Sequence, residues 1–401
     1  LLLGRFFALG AALTVTISTV GCDGCISSHL VISMTFPTVN CPKSADIDVS
    51  AAGEFLVSCV DAAEIPARTN TVQQFLRSQG VLSLTHDPRW LLVLKNALGH
   101  VPCLLQATRA EETVGVLSLG LVKSRLFGRY LVGLPYLNSG GVLALNPTVA
   151  NVLLDRAIGL ADEMQVRHLE LRHEAASDHQ SLTRAVGSKV HMRLRLPESS
   201  DQLWSELKAK VRNQVRKAEK FNFEIQWGRE ELLAEFYDVF SRNMRDLGTP
   251  VYGRRLFHEI LAAFPEEAEL CVLRLERRCV AAALLLHGEG VTEVPSASSL
   301  RSFNSTNANM LMYWRLLSRA ISRGQRVFDF GRSSEDSGTY RFKRQWGAKP
   351  APTAWQYYVR HGEANQMRPD SGRYDRLIRI WRRLPLSVTR LIGPSIVRGI
   401  P

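Results

Sequence analysis

The chain has 401 residues, 45% hydrophobic and 22% charged, an ordinary globular balance with length enough for two domains with full cores. A net charge of +12 points to a polyanionic partner such as a nucleotide, an RNA or an anionic membrane surface, although a merely soluble basic surface has the same composition. Seven cysteines, mostly scattered in apolar runs, exclude a disulfide framework and a zinc pattern, and Cys103, Cys271 and Cys279 read as small core residues.

The chain opens on "LLLGRFFALGAALTVTISTVGC", with one arginine, an apolar run and small residues leading to Cys22. This resembles a bacterial lipoprotein signal or a weak secretory segment, and is too short and too rich in Thr and Ser for a membrane span. It is expected to be either an export signal or translated upstream sequence without a structural role. The second reading is preferred. Cys22 and Cys25 form one C-x-x-C with no second pair or histidine set beside it.

From Pro102 the pattern gives the strands "PCLLQAT", "TVGVLSLGL" and "YLVGLPY", the loop "LNSGG", a helix over "NPTVANVLLDRAIGLADEM" and the strand "RHLELR". Val149, Leu153, Ala157, Leu160, Ala161 and Met164 repeat at the helical period, with Asn146 as N-cap and Pro147 at the first helical position. The second half repeats the order. Strands "LCVLRLE", "CVAAALLLHGEG" and "VTEVPSASSL" precede the polar loop "RSFNSTNAN", the helix "MLMYWRLLSRAISRG" and the strand "RVFDFGR". Leu169-Glu170-Leu171-Arg172 parallels Phe328-Asp329-Phe330 with Arg332, so a duplicated α/β unit is expected.

Between the halves, "LWSELKAKVRNQVRKAEKF" predicts one helix with Trp204, Leu207, Val211, Val215 and Ala218 on its apolar face. Its cations, Arg212, Arg216 and Lys217 among them, are either a solvated face or a phosphate- or RNA-binding stripe. The terminal "YDRLIRIWRRLPLSVTRLIGPSIVRGIP" is a second basic amphipathic segment, expected to cap a domain rather than lie on a membrane.

No nucleophilic triad, metal cluster or dinucleotide fingerprint is present. The Asp-Phe-Gly at 329–331 is not a kinase motif, since no H-R-D loop or glycine-rich phosphate loop accompanies it. An enzyme built from these residues works by positioning and electrostatics, which suits transfer of an already activated acyl group to an amine. The helix start after "FNSTNAN" offers backbone N–H groups to an oxyanion or phosphate, and Asn307 and Asn309 also read as caps. Asp329 ends a strand at a cleft, Ser337-Gly338-Thr339 makes a turn and cap, and Tyr340, Arg341, Lys343 and Arg344 follow on a short helix. Arg332 and Lys343 suit a phosphate group, against the alternative of a surface turn with solvated cations.

"VRNQVRKAEKFNFEI", "NANMLMYWRLLSRAISRGQRVFDFGRSSEDSGTYRFKRQWGA", "HDPRWLLVLKNALGH" and "VKSRLFGRYLVGLPYLNSGGV" together resemble the FemAB-like transferases, in the branch associated with exosortase/PEP-CTERM and exopolysaccharide systems. The resemblance runs from Val57 to the C-terminus. It implies an α/β (α+β) chain of two tandem GNAT-like acyltransferase domains, each a mixed, mainly antiparallel sheet flanked by helices. The expected boundaries are 1–50 for the extension, 51–196 and 197–362 for the two domains, and 363–401 for the basic tail.

Fem transferases proper use aminoacyl-tRNA, and other members of the wider superfamily use acyl-CoA. The resemblance therefore implies an acyl-CoA or aminoacyl-tRNA donor, no metal, and an amine acceptor among cell-envelope or polysaccharide precursors, in the cytoplasm, with tRNA and a peripheral membrane contact as further partners. The long helical arm of several tRNA-using members has no counterpart in the second domain, which leaves acyl-CoA open. The family signature falls on Gly338, Tyr340, Arg341, Phe342 and Lys343, and gives Lys343 the ligand phosphate. Asp329 is the expected proton acceptor or the anchor of an arginine. His86 and Trp90, with Tyr136 and Asn138, are expected to line the acceptor cleft, although Trp90 also suits a core, and Asn304 and Asn309 to flank the donor. Two competing readings are a CoA-dependent N-acyltransferase on a small or sugar-nucleotide amine, and a non-catalytic module binding RNA or an anionic surface.

Overall fold

The apolar strands on either side of residue 190 form two large sheets in the computed structural model, which describes residues 55–124, 128–184, 189–361 and 375–400 and the backbone of short strands at 15–18, 29–32 and 47–48. The rest of the expected extension, with Cys22 and Cys25, lies outside the described residues. Strands β1 (Val15–Ser18) and β2 (His29–Ile32) pair with each other, antiparallel.

The first large sheet contains β3 (Ile47–Asp48), β4 (Leu56–Val60), β5 (Val101–Arg109), β6 (Glu112–Ser124), β7 (Gly128–Gly133), β8 (Leu143–Ala144), β9 (His168–His173) and β10 (Thr183–Arg184). The second contains β11 (Lys189–Arg195), β12 (Glu224–Gly228), β13 (Ala268–Leu275), β14 (Arg278–His287), β15 (Val291–Ser299), β16 (Val327–Ser334) and β17 (Lys349–Ala351). The last strand, β18 (Ala354–Val359), returns to the first sheet. The orders are β10-β18-β9-β7-β6-β5-β4-β3, with β8 on β6, and β12-β13-β14-β15-β16-β11-β17. All neighbours are antiparallel except β7 with β9 and β15 with β16. Each large sheet thus takes a strand from across the expected border at 196/197: β11 pairs β16 and β17, and β18 pairs β9.

Helices α1 (Ile65–Ser78), α2 (Arg89–Leu98) and α3 (Pro147–Glu163) belong to the first half. The side chain of Asn146 accepts from Val149 N at 3.0 Å and starts α3, whose apolar stripe is fully buried on the first sheet. In the second half stand α4 (Ser200–Glu206), α5 (Ala209–Glu219), α6 (Leu233–Leu247), α7 (Arg254–Ala263), α8 (Ala308–Ser322) and α9 (Gly338–Gln345), then α10 (Asp375–Trp381) and α11 (Leu386–Val397). Strand β14 explains why both faces of the second sheet are covered. Ala282, Leu284 and Leu286 enter the core shared with α1, α2, α6 and α7, while Ala281, Ala283 and Leu285 enter the core under α5 and α8. The two halves are joined by a common core, and each fully buried leucine in it contributes about 1.5–3 kcal/mol. Trp90 belongs there: its indole N–H donates to Leu84 O at 2.8 Å and its ring meets Phe264 of the second half at 4.8 Å.

Two local expectations change. The single helix over 203–221 is broken at Leu207 and Lys208, which are extended, because Leu207 turns into the core and Arg212 folds back onto the carbonyls of Ser205 and Leu207. The loop 301–309 is mostly a 3₁₀ turn, Arg301–Thr306. Asn307 follows it in the left-handed region at φ 57° with no side-chain cap, and Thr306 Oγ1 takes the Ala308 N–H instead.

Candidate active site

Strands β15 and β16 run parallel for only three pairs, Val291 with Val327, Thr292 with Phe328 and Glu293 with Asp329. Beyond them β15 stays with β14 and β16 with β11, so the two strands part. The gap is a cavity of about 410 Å³, walled by Val294, Pro295 and Phe330 to Ser334, with Thr339 and Lys343 from α9 and Asn138 from the first half. Among the described residues three cations line it, Lys189, Arg332 and Lys343, and no carboxylate does.

A β-bulge shapes the wall. His191 pairs Arg332 and Arg193 pairs Asp329, so β16 carries an extra residue opposite β11. Gly331 sits in the bulge at φ 75°, a conformation that glycine adopts without steric cost. Asp329 and Lys343 hold it from two sides. Asp329 Oδ1 accepts the Gly331 N–H at 2.7 Å, and Lys343 Nζ donates to Gly331 O at 3.1 Å and to Arg332 O at 3.0 Å.

The bulge aims Arg332 at the first half. Its Nε donates to Asn138 Oδ1 at 3.2 Å, and its guanidinium lies 4.2 Å from the centre of the Trp355 ring. Arg172, the residue that parallels Arg332 in the first half, lies 4.6 Å from the same ring and is paired with Glu170. Arg332 Nη1 is enclosed without a hydrogen-bond partner. Burial, and next the charge of Arg172, lower Arg332 to about 9. Burial also lowers Lys343 to about 8. Cations disfavoured in this way gain stability from a bound anion.

The two carboxylates where the strands part differ. Burial by itself raises Asp329, but the His191 hydrogen bond at 3.2 Å and the Arg193 ion pair at 2.9 Å outweigh it and hold the carboxyl below its usual range. At Glu293 the charge of Arg193 and a hydrogen bond with the backbone of Leu84 do not outweigh burial. Burial, and then the negative charge of Asp329, raise it to about 8. One carboxylate is fixed in its charged form and its neighbour takes up and releases a proton near neutral pH.

The structure brings Asn138, Arg332 and Lys343 to the cavity, with Asp329 directly behind the bulge. The other residues singled out in the sequence lie elsewhere. Tyr340 is buried in the core under α8, while Arg341 is exposed and donates to Asp336 O. Asn304 is exposed in the 3₁₀ turn and Asn309 stands in the first turn of α8, neither on the cavity wall. Arg212 closes the end of α4, Arg216 lies over Trp204 at 5.5 Å, and Lys217 is exposed. Tyr136 Oη donates to Arg398 O at 2.7 Å and meets His100 Nε2 at 2.9 Å. His86 is lowered to about 4 by burial, within reach of the charges of Glu174 and His173. The sequence reading passed over Glu293, Lys189 and Trp355. A lone glutamate inside "VTEVPSA" was the available signal, because an acid in the middle of a buried strand is rare.

Residues 205–344 match the acetyltransferase (GNAT) domain family. FemX superposes with a TM-score of 0.53 at 15% identity, over 68% of this chain and 90% of its own. A tandem GNAT protein from the clavulanic acid biosynthesis pathway gives 0.50 at 10% identity, over 77% of this chain and 100% of its own. L-PGS from Bacillus licheniformis gives 0.50 at 12% identity, over 81% and 96%. A comparison with curated protein sequences gives no match. The chain therefore carries an acetyltransferase (GNAT) domain at residues 205–344, set in a FemAB-like fold of two such halves, and is an acyltransferase by that domain.

Proposed function

We propose that the protein transfers an acyl or aminoacyl group from a phosphate-bearing donor to an amine in the cavity where β15 and β16 part. The observation that carries this reading is a cavity lined, among the described residues, by three cations and no carboxylate, beside a buried glutamate raised to about 8. In the reaction the amine nitrogen attacks the donor carbonyl. The N–C bond forms as the C–S bond of a thioester, or the C–O bond of an aminoacyl ester, breaks. The amine proton passes to the ionised form of Glu293, whose neighbour Val294 lines the cavity, and from there to the leaving thiolate or alkoxide. Lys343 and Arg332 hold the anionic part of a substrate, and Asp329 is a positioning residue that fixes Arg193 and the bulge.

Among donors, acyl-CoA is favoured over aminoacyl-tRNA. The two helices between β12 and β13, α6 and α7, are packed on the sheet through Phe236, Phe240 and Phe257 rather than extended as an arm. The resemblance to the exosortase-associated branch supports an acceptor amine on an envelope or exopolysaccharide precursor, in the cytoplasm.

The test is thermal unfolding with acetyl-CoA, a long-chain acyl-CoA and aminoacyl-tRNA, repeated on Arg332→Gln and Lys343→Met. A donor that occupies the cavity raises the midpoint of the wild type. Each variant is expected to lose most of that rise, and transfer is expected to fall by about 10²-fold. Undiminished shifts and rates in both variants would remove the cavity from the reaction. A shift with aminoacyl-tRNA alone would reverse the order of donors.

A further inference from the structure

The last two helices turn one face to α6 and the turn after it and the other to solvent. Ile378 of α10 occupies the space that a side chain at Gly248 would need, and Val251 packs directly on Gly393 of α11. Trp381, Thr389 and Val397 are buried with them. Helix α11 is tied down further by the Arg390–Asp238 ion pair at 2.6 Å and by the Tyr136 hydroxyl on Arg398 O. Helix α10 is thus seated on Gly248 and α11 on Val251, three residues further on.

Their outer faces carry branched aliphatic side chains in water. Leu377 is 58% exposed, Ile380 55%, Leu391 72% and Ile392 39%. Leu247, at the end of α6, is also exposed, and its carbonyl accepts from Arg382 Nη2 at 3.1 Å. From Asp375 to Arg398 the sequence has six arginines and one acidic residue, Asp375, and Arg376 and Arg383 are exposed beside the aliphatic side chains. A surface that is both apolar and strongly net positive repels a second copy of itself. It complements a surface that is apolar beneath and anionic on top.

We propose that α10 and α11 form a docking face for an anionic lipid surface. Leu377, Ile380, Leu391 and Ile392 enter the boundary between headgroups and acyl chains, and Arg376 and Arg383 meet lipid phosphates. No helix among the described residues is long and apolar enough to cross a membrane, so the contact is peripheral. The face is separate from the cavity and does not rest on the transfer reading.

The full chain is sedimented with phosphatidylcholine vesicles with and without phosphatidylglycerol. Binding is expected only with the anionic lipid and is expected to weaken as salt rises. Arg376→Gln and Arg383→Gln should each lower partitioning about fivefold. Leu377→Glu with Leu391→Glu should abolish it while leaving the unfolding midpoint in place, since both side chains are exposed. Equal binding to neutral vesicles, or wild-type binding by the double glutamate variant, would overturn the proposal. So would a dimer in light scattering that the double variant dissolves, because the face would then belong to a second copy.

Discussion

The two places where parallel strands part have the same register and opposite contents. In the first half Tyr130, Leu131 and Val132 pair His168, Leu169 and Glu170, as Val291, Thr292 and Glu293 pair Val327, Phe328 and Asp329 in the second. Beyond Glu170, strand β9 continues without a bulge against β18, and the gap is filled by the chain itself. Gly140 donates its N–H to Arg172 O at 3.0 Å and lies against Gly133 so closely that neither has room for a side chain. Beyond Asp329 the bulge at Gly331 takes the place of that regular pairing, and the gap is the cationic cavity. Among the described residues, one parting is closed by backbone and the other opens into the cavity.

The largest effect is expected from forcing the closed parting open. In Gly140→Ala the new Cβ would lie 2.3 Å from Gly133 O, a backbone atom that cannot swing aside. The expected loss is about 3 kcal/mol, read as a lower urea midpoint. Gly338→Ala, at the margin of the open parting, meets nothing within 4 Å and stands at the start of a helix. There stability should hold or rise by about 0.5 kcal/mol. Wild-type stability in Gly140→Ala would mean that the first parting is not packed shut, and the contrast would fail.

Next comes the position that differs most between the partings, Val132 in the first and Glu293 in the second. A carboxyl raised to about 8 in the folded state keeps its proton while the unfolded chain has lost it, so stability falls as pH rises toward 8 and levels off above. His86, His100, His168 and His173, all lowered to about 4, act in the opposite sense from about 4 until the unfolded histidines have lost their protons, about one unit above 6.5. Lys343, lowered to about 8, adds stability only as pH rises beyond that value. Between pH 6.5 and 8 the tail of the histidine titration runs against that of Glu293, so the part due to Glu293 is the difference between the wild type and Glu293→Gln. The expected loss is roughly 2 kcal/mol over this interval, and Glu293→Gln should remove it in denaturation curves at the two pH values. An unchanged slope in the variant would show that the glutamate is not the raised group.

Much of this contrast could be read from residues alone. Apolar runs gave the strands, the Asn146 cap and the helical period gave α3, and the match of Glu170 and Arg172 to Asp329 and Arg332 pointed to a repeated unit. Asn138, Arg332 and Lys343 were singled out, and they meet at one cavity. Other features depend on distant partners. Alternation marks β11 and β18 as strands but does not say which sheet receives them, so the exchange across residue 196 left no local trace. The stripe from Arg212 to Lys217 reads equally as a solvated face or a ligand face, because the break at Leu207, which turns Arg212 onto carbonyls, depends on a core formed by other elements. Glu293 owes its behaviour to Asp329 and to burial, neither of which is visible in its own segment.

The smallest expected effect tests a side chain that links the partings. Asn138 belongs to the loop that fills the first and reaches into the second, where its Oδ1 accepts from Arg332 Nε. Asn138→Ala removes a single hydrogen bond to a cation, worth about 1.5 kcal/mol, or roughly tenfold in affinity. The effect should appear in the KM of the anionic substrate, with kcat nearly unchanged. Asn138→Asp keeps the shape and adds a carboxylate that pairs Arg332 permanently. If Arg332 serves an incoming anion, the aspartate variant must bind that substrate more weakly than the alanine variant, although it keeps the better contact within the protein. If the guanidinium only braces the two halves, the order reverses, and the aspartate variant is the more stable and the more active of the two.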